Sequence, residues 1–136
     1  MKNTIKLFAM VGILSMIALT GCKKDKVKGC TDSSSLNFNA NAEEDDGSCT
    51  YKGSVTFWNL TTSALEEVDV YIGGVPQGTI TVDNPSTPSC GASGCVTYTA
   101  APGTYSYYAE EIAPGTGTWS GSITITSKGC TTVKLY

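Results

Sequence analysis

The sequence predicts an all-β protein: a seven-stranded antiparallel sandwich of two sheets, preceded by a small disulfide-closed loop module. Three observations carry this. Apolar residues recur at every second position in seven short segments after residue 51, the breaks between segments hold turn-forming residues, and nothing past residue 22 keeps a helical period. Period-two patterning rich in Thr, Val, Ile and Tyr is the mark of antiparallel strands with one buried face.

The segments follow in order. Val55 and Phe57 alternate with Thr56 and Trp58; Val68, Val70 and Ile72 alternate with Asp69 and Tyr71. Ile80 and Val82 alternate with Thr79 and Thr81, Val96 and Tyr98 with Thr97 and Thr99, and Tyr105 and Tyr107 with Ser106 and Tyr108. Trp119, Ile123 and Ile125 share a parity against Ser120, Ser122, Thr124 and Thr126, and Val133 and Leu135 close the chain opposite Thr132 and Lys134. Gly73-Gly74, Asn84-Pro85, Pro102-Gly103 and Pro114-Gly115 supply the turns.

The N-terminus stands apart from this fold. Lys2 and Lys6 precede an apolar run from Leu7 to Leu19, thirteen residues long, where a bilayer core demands about 20. That length suits the hydrophobic region of a signal peptide. Leu19-Thr20-Gly21-Cys22 resembles the lipobox of bacterial lipoproteins, which implies removal of residues 1–21 and lipidation of Cys22. The same resemblance implies two or three acyl chains and hence lasting membrane attachment, since one chain holds only marginally. Lys23 in place of an aspartate points to the outer membrane, on its periplasmic or surface face. Residues 22–29, the lipidated cysteine and "KKDKVKG", read as a tether.

Without its leader the chain keeps seven lysines against twelve acids, a net charge near −5, and it has no arginine or histidine. Nucleic acid is excluded as a partner, because its affinity comes from basic residues on phosphates. Ser-His-Asp and Cys-His machinery and His-ligated zinc are excluded as well. Glu66-Glu67 and Glu110-Glu111 are carboxylate pairs, but neighbours on a strand point to opposite faces, whereas glycosidase chemistry needs two carboxyls converging at about 5–9.5 Å. The expectation is a protein that is not an enzyme.

Residues 30–51 form the module before the sandwich, which itself spans 52–136. Cys30 and Cys49 enclose eighteen residues, and in an exported chain such a pair is a structural disulfide. Closing that loop contributes roughly 3 kcal/mol on a chain-entropy treatment. Asn37, Asn39 and Asn41 alternate, followed by Glu43, Asp45 and Asp46-Gly47. Calcium takes six to eight oxygens from such groups, with glycine where the chain turns sharply. Asp32, Asn37, Asn39, Asn41, Asp45 and Asp46 are therefore the candidate calcium ligands, with Glu43 as a substitute; the competing reading is a solvated, disulfide-closed knob. Gly29–Asp32, Asn37-Phe38-Asn39, Asp45–Cys49 and Tyr51 together resemble a Cys-bracketed acidic repeat of secreted and surface proteins of gliding bacteria.

In the sandwich, Ile72-Gly73-Gly74, Pro102-Gly103-Thr104-Tyr105 and Lys128-Gly129 resemble the PEGA and carboxypeptidase-regulatory-like domains, which implies a non-catalytic accessory fold. Cys90 and Cys95 flank "GASG" and are expected to pair, leaving Cys130 over; Cys130 with Cys90 or with Cys95 is the alternative. By parity Phe57, Tyr105, Tyr107 and Trp119 are core, whereas Trp58, Tyr71, Tyr108 and Tyr136 face outward. Exposed aromatics among Ser and Thr stack on sugar rings, so Trp58, Tyr71 and Tyr108 are the candidate ligand-binding residues. The expected role is a binding or structural module for a surface protein, or a glycan-binding accessory of a polysaccharide-uptake system.

Overall fold

The computed structural model describes residues 24–60, 67–112 and 117–135. Cys22 and residues 1–21, Glu66, the Pro114-Gly115 break and Tyr136 lie outside them. The described residues form ten strands and no helix: β1 (Lys28–Gly29), β2 (Glu44–Asp45), β3 (Gly53–Leu60), β4 (Val68–Ile72), β5 (Val75–Ile80), β6 (Asp83–Asn84), β7 (Val96–Ala100), β8 (Gly103–Glu111), β9 (Thr118–Ile125) and β10 (Cys130–Lys134). They make three sheets, not two, and the expected all-antiparallel pairing is corrected at β3, which β10 and β6 both join in parallel. β1 and β2 pair alone; β10, β3 and β6 form a second sheet in which β7 also pairs with β3; the third runs β5-β4-β8-β9.

The additional strands, β1, β2 and β6, are each two residues long. Two residues cannot display a period, which is why patterning missed them. β1 also takes the last two residues of the expected tether: Lys28 pairs with Glu44 and Gly29 with Asp45 in parallel register.

In β3 the parity is as expected on one face, where Val55 and Phe57 are fully buried. They meet Val68, Val70 and Ile72 of β4, Ile80 of β5, Val96 of β7, Ala109 of β8, Ile123 and Ile125 of β9, and Leu135 in one hydrophobic cluster. Both four-stranded sheets thus share a core, the term that dominates folding. Tyr98, Tyr105, Tyr107 and Trp119 pack around it. Phe57 and Tyr107 stand 5.2 Å apart between centroids, and Tyr98 meets Tyr105 edge-on at 5.5 Å, both geometries that aromatic quadrupoles favour.

The turns follow from their residues. Gly73 and Gly74 both have positive φ, 58° and 81°, as a two-residue hairpin between twisted strands requires. Between β7 and β8 the chain changes sheet, and the Tyr105 hydroxyl donates back to the Ala101 carbonyl at 2.8 Å, tying that corner. β5 begins at Val75 and ends at Ile80, earlier than the expected segment. Thr81 leaves the sheet to donate to Gly94, 2.9 Å away, and Val82 is exposed rather than inward.

The other face of β3 is covered. Gly91 N–H donates to the Thr56 hydroxyl at 3.0 Å, and Thr56 shares a 2.9 Å hydrogen bond with Thr97. The segment before β7 therefore crosses β3, and its Cys90 bonds to Cys130 at the start of β10 with Cα atoms 6.4 Å apart. The expected Cys90–Cys95 pair is thereby corrected: Cys95 is the free cysteine among the described residues. Proximity along the chain favoured the five-residue spacing; the crossing brings a partner 40 residues away instead. Cys30–Cys49 forms as expected, with Cα atoms 4.8 Å apart.

Candidate functional site

The outer face of the β5-β4-β8-β9 sheet carries the side chains that the core leaves out. Tyr71 on β4 lies directly opposite Tyr108 on β8, and Asp69 opposite Glu110. The two rings stand 5.9 Å apart between centroids at 44°. Tyr71 donates its hydroxyl to Glu110 Oε1 at 3.1 Å, and Tyr108 donates to Oε2 at 2.9 Å. One carboxylate therefore fixes both rings. Asp69 is held in turn by the Thr79 hydroxyl, 2.6 Å from its Oδ1.

Electrostatics follow from this bridge. Both phenols are raised above their usual 10.0, first by the hydrogen bond to Glu110 and then by burial and the Glu110 charge. Along β9 the same face continues with Thr118, Ser120, Ser122 and Thr124, all exposed. No lysine occurs in any of the four strands. The result is a hydroxyl-rich, anionic surface with two aromatic rings.

Trp58 does not join it. It sits on β3 in the other sheet and is 4% exposed, and its indole Nε1 reaches no partner among the described residues. Parity says to which side of a strand a residue points, not whether that side is open; here that side is closed, and Trp58 is buried. Of the three expected ligand-binding residues, Tyr71 and Tyr108 share a face and Trp58 is inside. Glu110, which orders both rings, was missed, because its pairing with two tyrosines depends on cross-strand register.

In the module, the candidate calcium ligands are engaged with their own loop. Asp32 Oδ1 accepts from the Ser34 N–H and hydroxyl, and its Oδ2 accepts from the Tyr51 hydroxyl at 2.6 Å. These bonds, Tyr51 first, lower the Asp32 carboxyl to about 2, and the same contact raises Tyr51. Asn37 Oδ1 accepts from the Thr50 N–H and hydroxyl while its Nδ2 donates to the Ser48 carbonyl, so it ties the middle of the loop to its C-terminal end. Asn39 Oδ1 accepts from Asn41 N–H, Asp45 Oδ1 from Gly47 N–H, and Asp46 Oδ1 from Ser48 N–H. These are Asx turns, the local bonding to which short polar side chains are suited. Hydrogen bonding from Ser48 lowers Asp46. Gly47 has φ of 75°, the left-handed conformation that the return needs. Among the described residues no three His, Cys, Asp or Glu side chains gather closely enough to hold a metal ion.

Glu110 and Glu111 diverge as neighbours on a strand should: Glu111 Oε2 accepts from Gly117 N–H at 2.9 Å, away from the tyrosines. Comparison of the chain with protein-family models, curated proteins and solved structures finds no match.

Proposed function

We propose that the protein is a non-catalytic lipoprotein, anchored through Cys22 to the outer membrane, whose sandwich displays a ligand-binding sheet face. The seven strands of five residues or more are read as the two-sheet sandwich and residues 30–51 as a module between it and the tether. The observation that carries the ligand reading is the Glu110 carboxylate holding the Tyr71 and Tyr108 hydroxyls on an exposed face without lysine. Rings ordered in advance lose little entropy on binding, and aromatic faces beside hydroxyls and carboxylates suit the C–H and O–H groups of a sugar. The two carboxylates, Asp69 and Glu110, disfavour acidic polysaccharides, so the ligand class is a neutral glycan.

Titration calorimetry of the full chain against neutral and uronic-acid oligosaccharides tests this. Binding of a neutral glycan that falls at least about tenfold in Tyr108→Ala, a loss of roughly 1.4 kcal/mol, is the expected result. Absence of binding to every glycan removes the reading and leaves a structural or protein-binding lipoprotein.

Calcium in the acidic module is a second reading. Asp32, Glu43, Glu44, Asp45 and Asp46 crowd one short loop, and a single ion pair, Lys28–Glu44 at 3.8 Å, offsets them among the described residues. Asp45 and Asp46 each commit Oδ1 to a turn, which leaves Oδ2 for a cation that would relieve the repulsion. An ion bound only by the folded chain raises its melting temperature with concentration, and modules outside the cell bind at around 10⁻⁴–10⁻³ M. Melting followed with and without about 10 mM calcium, above that range, decides it: a rise that Asp45→Asn with Asp46→Asn abolishes supports the ion, and an unchanged curve leaves the knob.

A further inference from the structure

From the Tyr71–Tyr108 pair, the outer face of β8 and β9 has room to continue in one direction. Tyr108 lies three residues before β8 ends at Glu111, and on that side both carboxylates are engaged, Glu110 by the two phenols and Asp69 by Thr79. In the other direction β8 runs back to Gly103. Register sets Tyr108 opposite Ser120, Ser106 opposite Ser122 and Thr104 opposite Thr124. Every second residue of a strand shares a face, so these six side chains point the same way, and all six are exposed.

The five serines and threonines of this strip hold hydroxyls that the fold leaves unused. Thr79 donates its hydroxyl to Asp69, and Thr56 and Thr97 bond to each other. Among the described residues no side-chain bond engages Thr104, Ser106, Ser120, Ser122 or Thr124. Serine and threonine are shorter than tyrosine, so a low polar track leads away from the ring pair. At roughly 3.4 Å per residue and about 4.8 Å between strands, it is about 14 Å long from Tyr108 to Thr104 and one strand pair wide.

We infer that this strip is a linear binding track, and that the ligand is an extended run of several neutral sugars rather than a single terminal one. One sugar sits on the Tyr71–Tyr108 pair and its neighbours lie along β8 and β9 toward Thr104 and Thr124. The inference rests on the reading of the tyrosine pair as a glycan platform. A single ring cannot cover a track of that length, and the width admits one chain. The strands carry no lysine and the chain no arginine, so an acidic polymer would find no counter-charge. Each hydroxyl bond replaces one to water and gains little net, so a lone sugar on the serines and threonines binds weakly. Association forfeits rigid-body freedom once, and each further sugar in register adds contacts without forfeiting it again.

Titration calorimetry of the full chain, held in a detergent without a sugar headgroup, tests this against cellulose-, starch- and mannan-derived sugars from monosaccharide to hexasaccharide. Affinity is expected to rise at least about tenfold from the disaccharide to the tetrasaccharide of the series that binds. Thr104→Ala with Thr124→Ala, at the far end of the track, is expected to lose that rise, to keep the disaccharide affinity and to leave the circular dichroism spectrum unchanged. Ser106→Ala with Ser122→Ala makes the same test from the middle of the track. Equal affinity at every length, with binding still lost in Tyr108→Ala, overturns the track and leaves the ring platform standing. A rise with length that neither alanine pair reduces overturns it as well, since the chain then runs elsewhere. No binding in any series removes the platform and the track together.

Discussion

Lys128 places its ammonium 3.7 Å from the centre of the Tyr51 ring. The ring stands just after the Cys30–Cys49 loop and the lysine in the turn between β9 and β10, so this cation–π contact joins the disulfide-closed loop to the larger sheets. Two further bonds reinforce it: Tyr51 N–H donates to Ser127 Oγ at 2.9 Å, and the Tyr51 hydroxyl donates to Asp32 Oδ2. Tyr51 is the bolt between the two parts.

Tyr51→Phe keeps the ring over Lys128 and deletes the bond to Asp32. The Asp32 carboxyl, held at about 2 against an ordinary 3.8, is expected to titrate higher in the variant when followed by carbonyl NMR. A carboxyl depressed in the folded chain stabilises it fully above the unfolded value and loses that contribution as pH falls through the folded one. The difference in melting temperature between the two proteins should therefore be present at neutral pH and vanish as pH drops from about 4 to about 2. A difference that persists in acid would show that Tyr51 acts through packing alone.

Glu110→Ala removes the shared acceptor of Tyr71 and Tyr108. Both phenols are expected to ionise closer to the usual 10.0, read from phenolate absorbance on raising the pH. The sign is opposite to that of Asp32. An acid raised on folding stabilises below its unfolded value and loses the effect as pH rises past it, so the variant should differ most from the parent below pH 10. An unaltered phenolate titration would mean that the bridge does not persist in solution.

Cys130→Ser opens the loop that Cys90 closes 40 residues earlier. A chain-entropy treatment puts the loss at about 4 kcal/mol, visible as a lower urea midpoint, whereas Cys95→Ser is expected to stay within about 0.5 kcal/mol. Peptide mapping of the non-reduced protein should return Cys30–Cys49 and Cys90–Cys130, with a thiol at Cys95. A Cys90–Cys95 peptide would contradict the crossing segment.

Gly53→Ala tests how closely β3 enters beneath the β9–β10 turn. A Cβ at Gly53 would collide with the Thr126 carbonyl and stand 2.8 Å from the Gly129 carbonyl. Backbone cannot rotate aside as a side chain can, so the cost is expected to reach at least the roughly 1–3 kcal/mol of core overpacking. Gly47→Ala, with nothing within 4 Å of its Cβ, should cost only the strain of its positive φ. Equal destabilisation by the two would refute the close approach.

Much of this architecture was legible in the residues. Alternation located β3, β4, β7, β8, β9 and β10 and separated Phe57, Tyr105, Tyr107 and Trp119 from the outward Tyr71 and Tyr108, because a strand's side chains alternate by covalent geometry. Gly73-Gly74 announced its hairpin for an equally local reason. The pairing of Cys30 with Cys49 needed only the isolation of a small polar loop that has no core of its own. What alternation cannot hold is whatever lies across a strand. The register that sets Tyr71 beside Tyr108 and brings both to Glu110, the burial of Trp58, the segment that carries Cys90 to Cys130, and the two-residue strands were all decided by the tertiary structure. Each depends on contacts between residues distant in the chain, and a period-two pattern is the same whichever strand becomes the neighbour and whichever loop closes the outer face.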